Sequence, residues 1–183
     1  MLKLEIMEVV PLPVRTPSDS ASEMTELILP NDTNTLGNLL GGRIMHFIDL
    51  VGAMAAYRHS RTHIVTASID HIDFIAPVHV GDLLILKAKL NRAFTSSMEA
   101  GVIVWVENTI AGTQRHVASA YLTFVAIDPE GRPVPVPKLE PRTDEEKRNY
   151  QDAGRRREHR QRERQQSLRR SSELPTAEST ELS

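Results

Sequence analysis

Gly41-Gly-Arg-Ile-Met-His-Phe-Ile-Asp-Leu-Val-Gly-Ala-Met-Ala-Ala-Tyr57 is the stretch that decides the fold. Its apolar residues, Ile44, Met45, Phe47, Ile48, Leu50, Val51, Ala53 and Met54, fall on every side of a helical wheel. A helix that is apolar all round is expected to be buried all round. A chain of 183 residues holds one sizeable core and an extension, not two cores. Burying one helix on every side of so small a core calls for a sheet wrapped about it.

Working outward, the flanking sequence supplies that sheet. Short or alternating apolar runs at 25–29, 65–75, 83–90, 98–106 and 116–127 read as strands. In 65–75 the alternation puts Thr66, Ser68, Asp70, Ile72 and Phe74 on one face, with Val65, Ala67 and Ile69 on the other. Pro77 with Val80-Gly-Asp82, then Asn91-Arg92, Ala111-Gly112 and Asp128-Pro-Glu-Gly131 punctuate the runs as turns. The later strands follow one another without helices between them, which predicts an antiparallel, meander-like sheet. The class is α+β, a curved antiparallel sheet around a long central helix.

Composition divides the rest of the chain. Residues 1–22, with Pro11, Pro13 and Pro17, read as a flexible leader, and 23–137 carry the domain. Residues 138–170 are rich in arginine interleaved with Glu and Gln. They predict a helical extension over about 143–168, with a solvated helix as the simplest reading. Residues 171–183 read as a disordered tail. Lys and Arg total 22 against 24 Asp and Glu, a net charge of -2, so whole-chain charge gives no reason to expect nucleic acid as a partner. With no cysteine, thiol nucleophiles, disulfides and thiolate metal sites are excluded. No signal peptide or membrane span is legible, so the expected location is the cytoplasm, without a membrane partner.

Asp49 is the residue that most needs a reason. It interrupts the apolar helix, where an unpartnered carboxylate costs several kcal/mol, so it is partnered, protonated or open to a wet cleft. Such a group serves as a general base or nucleophile, or else as a structural acceptor for a loop or a second subunit. His46 lies three residues before it, and Gly52, three residues after, leaves room for something to approach. The preceding segment, Pro30-Asn-Asp-Thr-Asn-Thr-Leu-Gly-Asn-Leu-Leu-Gly-Gly42, runs into the helix start, where free N–H groups can hold a developing oxyanion. Asn38 adds an amide donor there. An N-capping loop with glycines for packing reads equally well. Neither a P-loop nor a Gly-x-Ser-x-Gly elbow is present, and the seven histidines show no metal-ligand spacing, so no metal is expected.

Six pieces, in order, carry a resemblance. They are Leu29-Pro-Asn-Asp-Thr-Asn-Thr-Leu-Gly-Asn-Leu-Leu-Gly-Gly42, Ile44-Met-His-Phe-Ile-Asp-Leu-Val-Gly-Ala53, and Ser68-Ile-Asp-His-Ile-Asp-Phe-Ile-Ala-Pro-Val78 with Val80-Gly-Asp82. Ser96-Ser-Met98, Val104-Trp105 and Leu122-Thr-Phe-Val-Ala-Ile-Asp128 complete the set. Over residues 23–137 the chain resembles the hotdog-fold acyl-CoA thioesterases, in the group of the bacterial YciA-type enzymes and the animal cytosolic acyl-CoA hydrolases.

The resemblance implies hydrolysis of fatty acyl-CoA to free acid and CoA without a cofactor. It places the catalytic carboxylate at Asp49 and a polar partner at Asn38. It puts the oxyanion and substrate contacts at Gly41, Gly42 and Asn34, and coenzyme A contacts at Thr95, Ser96 and Ser97. It also implies self-association as a dimer or hexamer, with Asn38 of one subunit facing Asp49 of another. The Arg-rich extension matches no family motif; a docking helix between dimers and a contact for the CoA phosphates stand beside the solvated reading. Two other functions use such a fold: a non-catalytic acyl-CoA sensor, and an enoyl-CoA hydratase built on a His–Asp pair.

Overall fold

The structure, a computed structural model, describes residues 12–173. The deciding stretch forms the long helix α2, Gly41–Ser60, preceded by a four-residue helix α1, Pro17–Ser20. The strands are β1 Ser22–Leu27, β2 His63–Phe74, β3 Leu83–Ala93, β4 Ser97–Glu107 and β5 Gln114–Ile127. All pair antiparallel in one curled sheet of order β1-β3-β4-β5-β2. β3, β4 and β5 are the expected meander. β2 leaves chain order to pair with the far side of β5, so β1 and β2 form the edges.

One face of α2 packs into the concave side of the sheet. Ile44, Phe47, Ile48, Val51 and Ala55 are buried there with Leu84, Leu86, Leu90, Met98, Leu122 and Phe124. Glycine at 52 is explained by this contact: a Cβ there would stand 3.2 Å from the Phe124 ring. What approaches Gly52 is therefore the protein's own core. The helix stops at Arg61, whose left-handed backbone (φ 58°) turns its N–H onto the Tyr57 carbonyl at 2.9 Å. Arg58, in the last turn, complements the negative end of the helix dipole.

Three readings of the sequence need correction. The first is burial of α2 on all sides. Within one chain only half the helix is covered, and Met45, Leu50, Met54 and Tyr57 keep 36–47% of their surface exposed. Leu50, Met54 and Tyr57 recur at four- and three-residue spacing and form an apolar stripe, and the exposed Met45, one turn before Asp49, extends the bare face toward the helix start. An all-round apolar composition fixes that both faces want cover; it does not say that one chain covers both.

The second correction concerns β2. Its pairing with β5 slips between Thr66 and Ser68, and again between Ile69 and His71. Each slip leaves one extra residue, Ala67 and Asp70, as a β-bulge. Strict alternation would have placed Thr66, Ser68 and Asp70 on one face. Two bulges break that period: Thr66 pairs with the inward-facing Phe124, whereas Ser68 pairs with Thr123 on the opposite face.

The third concerns the chain ends. The leader is ordered from residue 12 in the described part: Ser20 is buried, its hydroxyl accepts the Leu90 N–H at 2.9 Å, and β1 begins at Ser22. The C-terminal helix α3, Asp144–Glu173, opens on a capping box in which Thr143 and Glu146 satisfy each other's N–H groups. It is docked on the sheet's convex face, not freely solvated. Ala153 is fully buried, and Arg156 grips the buried Glu99 of β4 with two bonds of 3.1 and 2.6 Å while stacking 3.7 Å from the Tyr121 ring. Arg157 lies over Phe94, and Arg92 lies between Phe94 and Tyr150. Residues 1–11 of the leader and 174–183 of the tail lie outside the described residues.

Candidate functional site

Asp49 lies at the edge of the bare stripe of α2 and is half-buried. Its carboxylate is held by one neighbour: the Thr66 hydroxyl of β2 donates to Oδ1 at 2.8 Å. That bond engages one carboxylate oxygen and leaves Oδ2 without a hydrogen-bond partner among the described residues. The pair exists because Thr66 precedes the first bulge and still faces α2. Thr66 is the site residue that sequence reasoning missed. A threonine in a strand reads as ordinary β-propensity, and nothing in the spacing links it to a helix seventeen positions earlier.

The segment before α2 folds into a compact polar turn. The Asn34 side-chain oxygen accepts the N–H groups of Leu36 at 2.9 Å and Asn38 at 3.1 Å, and the Asn34 N–H returns a bond of 2.9 Å to the Asn38 carbonyl. With its oxygen committed, the exposed Asn34 offers its NH2 donors outward. Asn38 turns inward, pairs its backbone with His79, and keeps a buried side-chain oxygen without a donor. Asp32 ties the turn to the helix: its side chain accepts Arg43 Nε at 2.8 Å, and its carbonyl accepts the Leu40 N–H at 3.0 Å. Gly41 and Gly42 then open α2 with no capping side chain. A Cβ on either glycine would meet nothing within 4 Å. The positive end of the helix is thus uncapped and accessible.

These groups do not all converge in one chain. Gly42 and Asp49 are seven residues apart on a straight helix, roughly 10 Å along its axis. The helix start and the Asp49 carboxylate therefore cannot serve one carbonyl from a single subunit. Thr95, Ser96 and Ser97 form the β3–β4 turn, and their carbonyls accept the N–H groups of Val136, Ala126 and Phe94. Leu39 and Leu40 are bonded to Val78 and Asp32, near the start of β3. The turn is thus separated from the helix start by the length of an eleven-residue strand. His46 is exposed, its ring lies tilted against that of Phe47, and no hydrogen bond or ion pair joins it to Asp49. Among the described residues, no three His, Asp or Glu side chains are placed to share a metal ion, and no helix is long and apolar enough to cross a membrane.

Comparison with known proteins matches this arrangement. Residues 36–112 fit the model of the thioesterase superfamily. The acyl-CoA thioester hydrolase YkhA of Bacillus subtilis is 42% identical over 122 residues, which span 67% of this chain and 71% of YkhA. The cytosolic acyl coenzyme A thioester hydrolase of Rattus norvegicus is 34% identical over 139 residues, 75% of this chain but only 36% of that longer protein. Among solved structures, an apo-hexameric acyl-CoA thioesterase superposes with a TM-score of 0.80 at 39% identity, covering 83% of this chain and 97% of its own. An asparagine-to-alanine variant of the Staphylococcus aureus acyl-CoA hydrolase, in complex with coenzyme A, superposes at a TM-score of 0.84 with 35% identity, covering 91% of this chain and all of its own. That enzyme's structures include alanine variants of an asparagine, an aspartate and a threonine, at successive intervals of 15 and 17 residues. With a sheet curled about one helix and relatives of this identity and coverage, the chain belongs to the hotdog-fold acyl-CoA thioesterase family.

Proposed function

We propose that the protein hydrolyses acyl-CoA thioesters to a free carboxylic acid and coenzyme A, with Asp49 as the catalytic carboxylate. The single observation that carries this reading is the Thr66–Asp49 bond, which holds a half-buried carboxylate on the helix that bears the bare apolar stripe. Asn34, Asp49 and Thr66 are spaced by 15 and 17 residues, the intervals of the residues altered in the Staphylococcus enzyme. That match favours Asn34, more than Asn38, as the amide that reaches the reacting group. Its free NH2 and its exposed position support the same choice. Asn38 then shapes the turn.

In this mechanism Asp49 takes a proton from water, and the oxygen attacks the thioester carbonyl carbon. Attack by the carboxylate itself, through an anhydride that water then opens, uses the same geometry. The oxyanion is held by the N–H groups at Gly41 and Gly42. Collapse breaks the C–S bond, and the leaving thiolate is protonated. A thioester is activated enough for this set to act without a metal or redox cofactor. Because the helix start and Asp49 are too far apart in one subunit, the site is completed by a second copy, which brings its Gly41–Gly42 turn to this Asp49. The bare face of Met45, Leu50, Met54 and Tyr57, beside the open edge of β2 with its exposed Val65, Ile69 and Phe74, is the surface that copy covers. Coenzyme A contacts at Thr95–Ser97 and a cytoplasmic location complete the proposal; the second is supported by the cytosolic rat relative.

Release of CoA thiol, followed over a series of acyl-CoAs of increasing chain length, tests the proposal. Turnover of saturated acyl-CoAs supports it. Tight binding without thiol release would favour an acyl-CoA sensor, and hydration of enoyl-CoA without release would favour a hydratase. With His46 against Phe47 and Asp49 bonded by Thr66, no hydrogen bond or ion pair among the described residues supplies the His–Asp pair that last activity would want.

A further inference from the structure

Behind the site, on the convex face, the second half of α3 contacts β2 at the doubly bulged segment. Arg160 forms an ion pair with Asp70, and its guanidinium also lies 3.8 Å from the buried Glu99 that Arg156 holds. Asp70 is the extra residue of the second bulge. Its other oxygen accepts at 2.6 Å the hydroxyl of Ser68, which lies between the two bulges. Both partners of the Arg160–Asp70 pair are largely buried, with side chains 22% and 10% exposed. A pair so shielded is far more constraining than a surface ion pair.

The placement matters because β2 is an edge strand. Within the chain it has β5 on one side only, and at Ala67 and Asp70 even that ladder is interrupted. Thr66 is the last regularly paired residue before the interruption, and its hydroxyl must stay within 2.8 Å of Asp49. Whatever covers the outer edge in the proposed assembly, the ladder to β5 is interrupted at both bulges, so a clamp on that segment helps to set where Thr66 sits.

We infer that Arg160 is a positioning residue for the thioesterase reaction: through Asp70 it clamps the bulged segment of β2 and so holds Thr66 on the Asp49 carboxylate. The inference rests on the proposed role of Asp49 and gives the arginine-rich extension a task at the site it never touches. Arg160 contacts neither substrate nor Asp49; its effect passes through the strand.

The test is a set of full-length variants assayed for thiol release: Asp49→Ala, Thr66→Ala, Arg160→Ala, Arg160→Lys, Asp70→Asn, and the pair Thr66→Ala with Arg160→Ala. A small misplacement of a supporting group is expected to lower kcat on the order of tenfold. Arg160→Ala and Asp70→Asn should both show that loss with KM within about twofold, and Arg160→Lys should recover part of it. In the Thr66→Ala background, Arg160→Ala should add less than about twofold, because the bond it protects is already gone. Should Arg160→Ala fail to fold, Asp70→Asn and Arg160→Lys carry the same test. If Asp49→Ala abolishes turnover while the Arg160 and Asp70 variants keep wild-type kcat, or multiply independently with Thr66→Ala, the clamp is wrong and the proposed function stands. If Asp49→Ala turns over normally, the proposed function itself falls.

Discussion

The Thr66 hydroxyl on β2 donates a 2.8 Å hydrogen bond to the Asp49 carboxylate on α2, joining the edge strand to the central helix across residues seventeen positions apart. A bond from a neutral donor to a charged acceptor contributes about 1.5–3 kcal/mol. Here it engages Oδ1 and leaves the other carboxylate oxygen without a hydrogen-bond partner among the described residues. Replacing Thr66 by Val removes the donor at nearly constant volume. We expect kcat for acyl-CoA hydrolysis to fall by roughly tenfold to a hundredfold, with a smaller change in KM. Thr66→Ser should retain most activity, and the melting temperature should move little, because Thr66 is exposed in the single chain. Equal activity of the Val and Ser variants would show that the bond is not used.

Self-association is expected to be inseparable from activity. Met54 lies on the bare stripe one turn beyond Leu50 and makes no part of the proposed chemistry. Met54→Arg places a charge where a second copy must pack. Sedimentation should show a shift toward monomer, and thiol release should fall in parallel although Asp49 and Thr66 are intact. A monomer of full activity would contradict a site completed by two subunits.

Glu99 anchors α3. It is fully buried, accepts two bonds from Arg156, and takes a third of 3.1 Å from Asn91. Asn91 is the extra residue at the register slip between Leu90 and Arg92 in β3 and lies beside Glu99 under α3. Glu99→Ala leaves Arg156 and Asn91 without their acceptor. Breaking such a buried pair from one side costs about 3–5 kcal/mol, which urea unfolding will register as a large drop in midpoint. A change below about 0.5 kcal/mol would mean that α3 is not held through this residue.

Much of this was legible before the fold was known. The central helix and the strands follow from apolar periodicity, and Asp49 is conspicuous as a charge inside an apolar helix. What escaped has specific physical reasons. The bulges at Ala67 and Asp70 defeat a period of two, so Thr66 could not be assigned to the helix-facing side with Ser68 on the other. Glu99 sits at an outward position of β4, where a carboxylate reads as solvated. Only the arrival of α3, far along the chain, makes that position buried. The arginines of α3 read as a charge run because composition does not reveal that Arg156, Arg157 and Arg160 share one docked face. Gly52 reads as space for a ligand, and the Phe124 ring fills it.

His59 supplies a pH dependence unrelated to the site. It is fully buried, with one ring nitrogen on the Pro137 carbonyl at 2.8 Å and the other without a partner. Burial lowers its pKa below the ordinary 6.5. The Pro137 bond and Asp19 oppose that shift, and Arg15 adds to it. The unfolded chain therefore binds this proton first as the solution is acidified. The contribution of His59 to stability is intact above pH 6.5 and is lost progressively as pH falls below it, down to its folded value. Unfolding midpoints measured from pH 8 to 5 should decline over that range, and His59→Gln should flatten the decline. An unchanged slope in the variant would assign it to other groups.

The most direct test concerns Asp49 itself. Steady-state release of CoA thiol should be compared between the wild-type protein and Asp49→Asn, which keeps the size of the side chain and the Thr66 contact but cannot accept a proton or attack. Loss of a general base or nucleophile predicts a fall in kcat of about a hundredfold to ten-thousandfold, with the oligomeric state unchanged. Turnover within twofold of wild type would contradict the account at its centre.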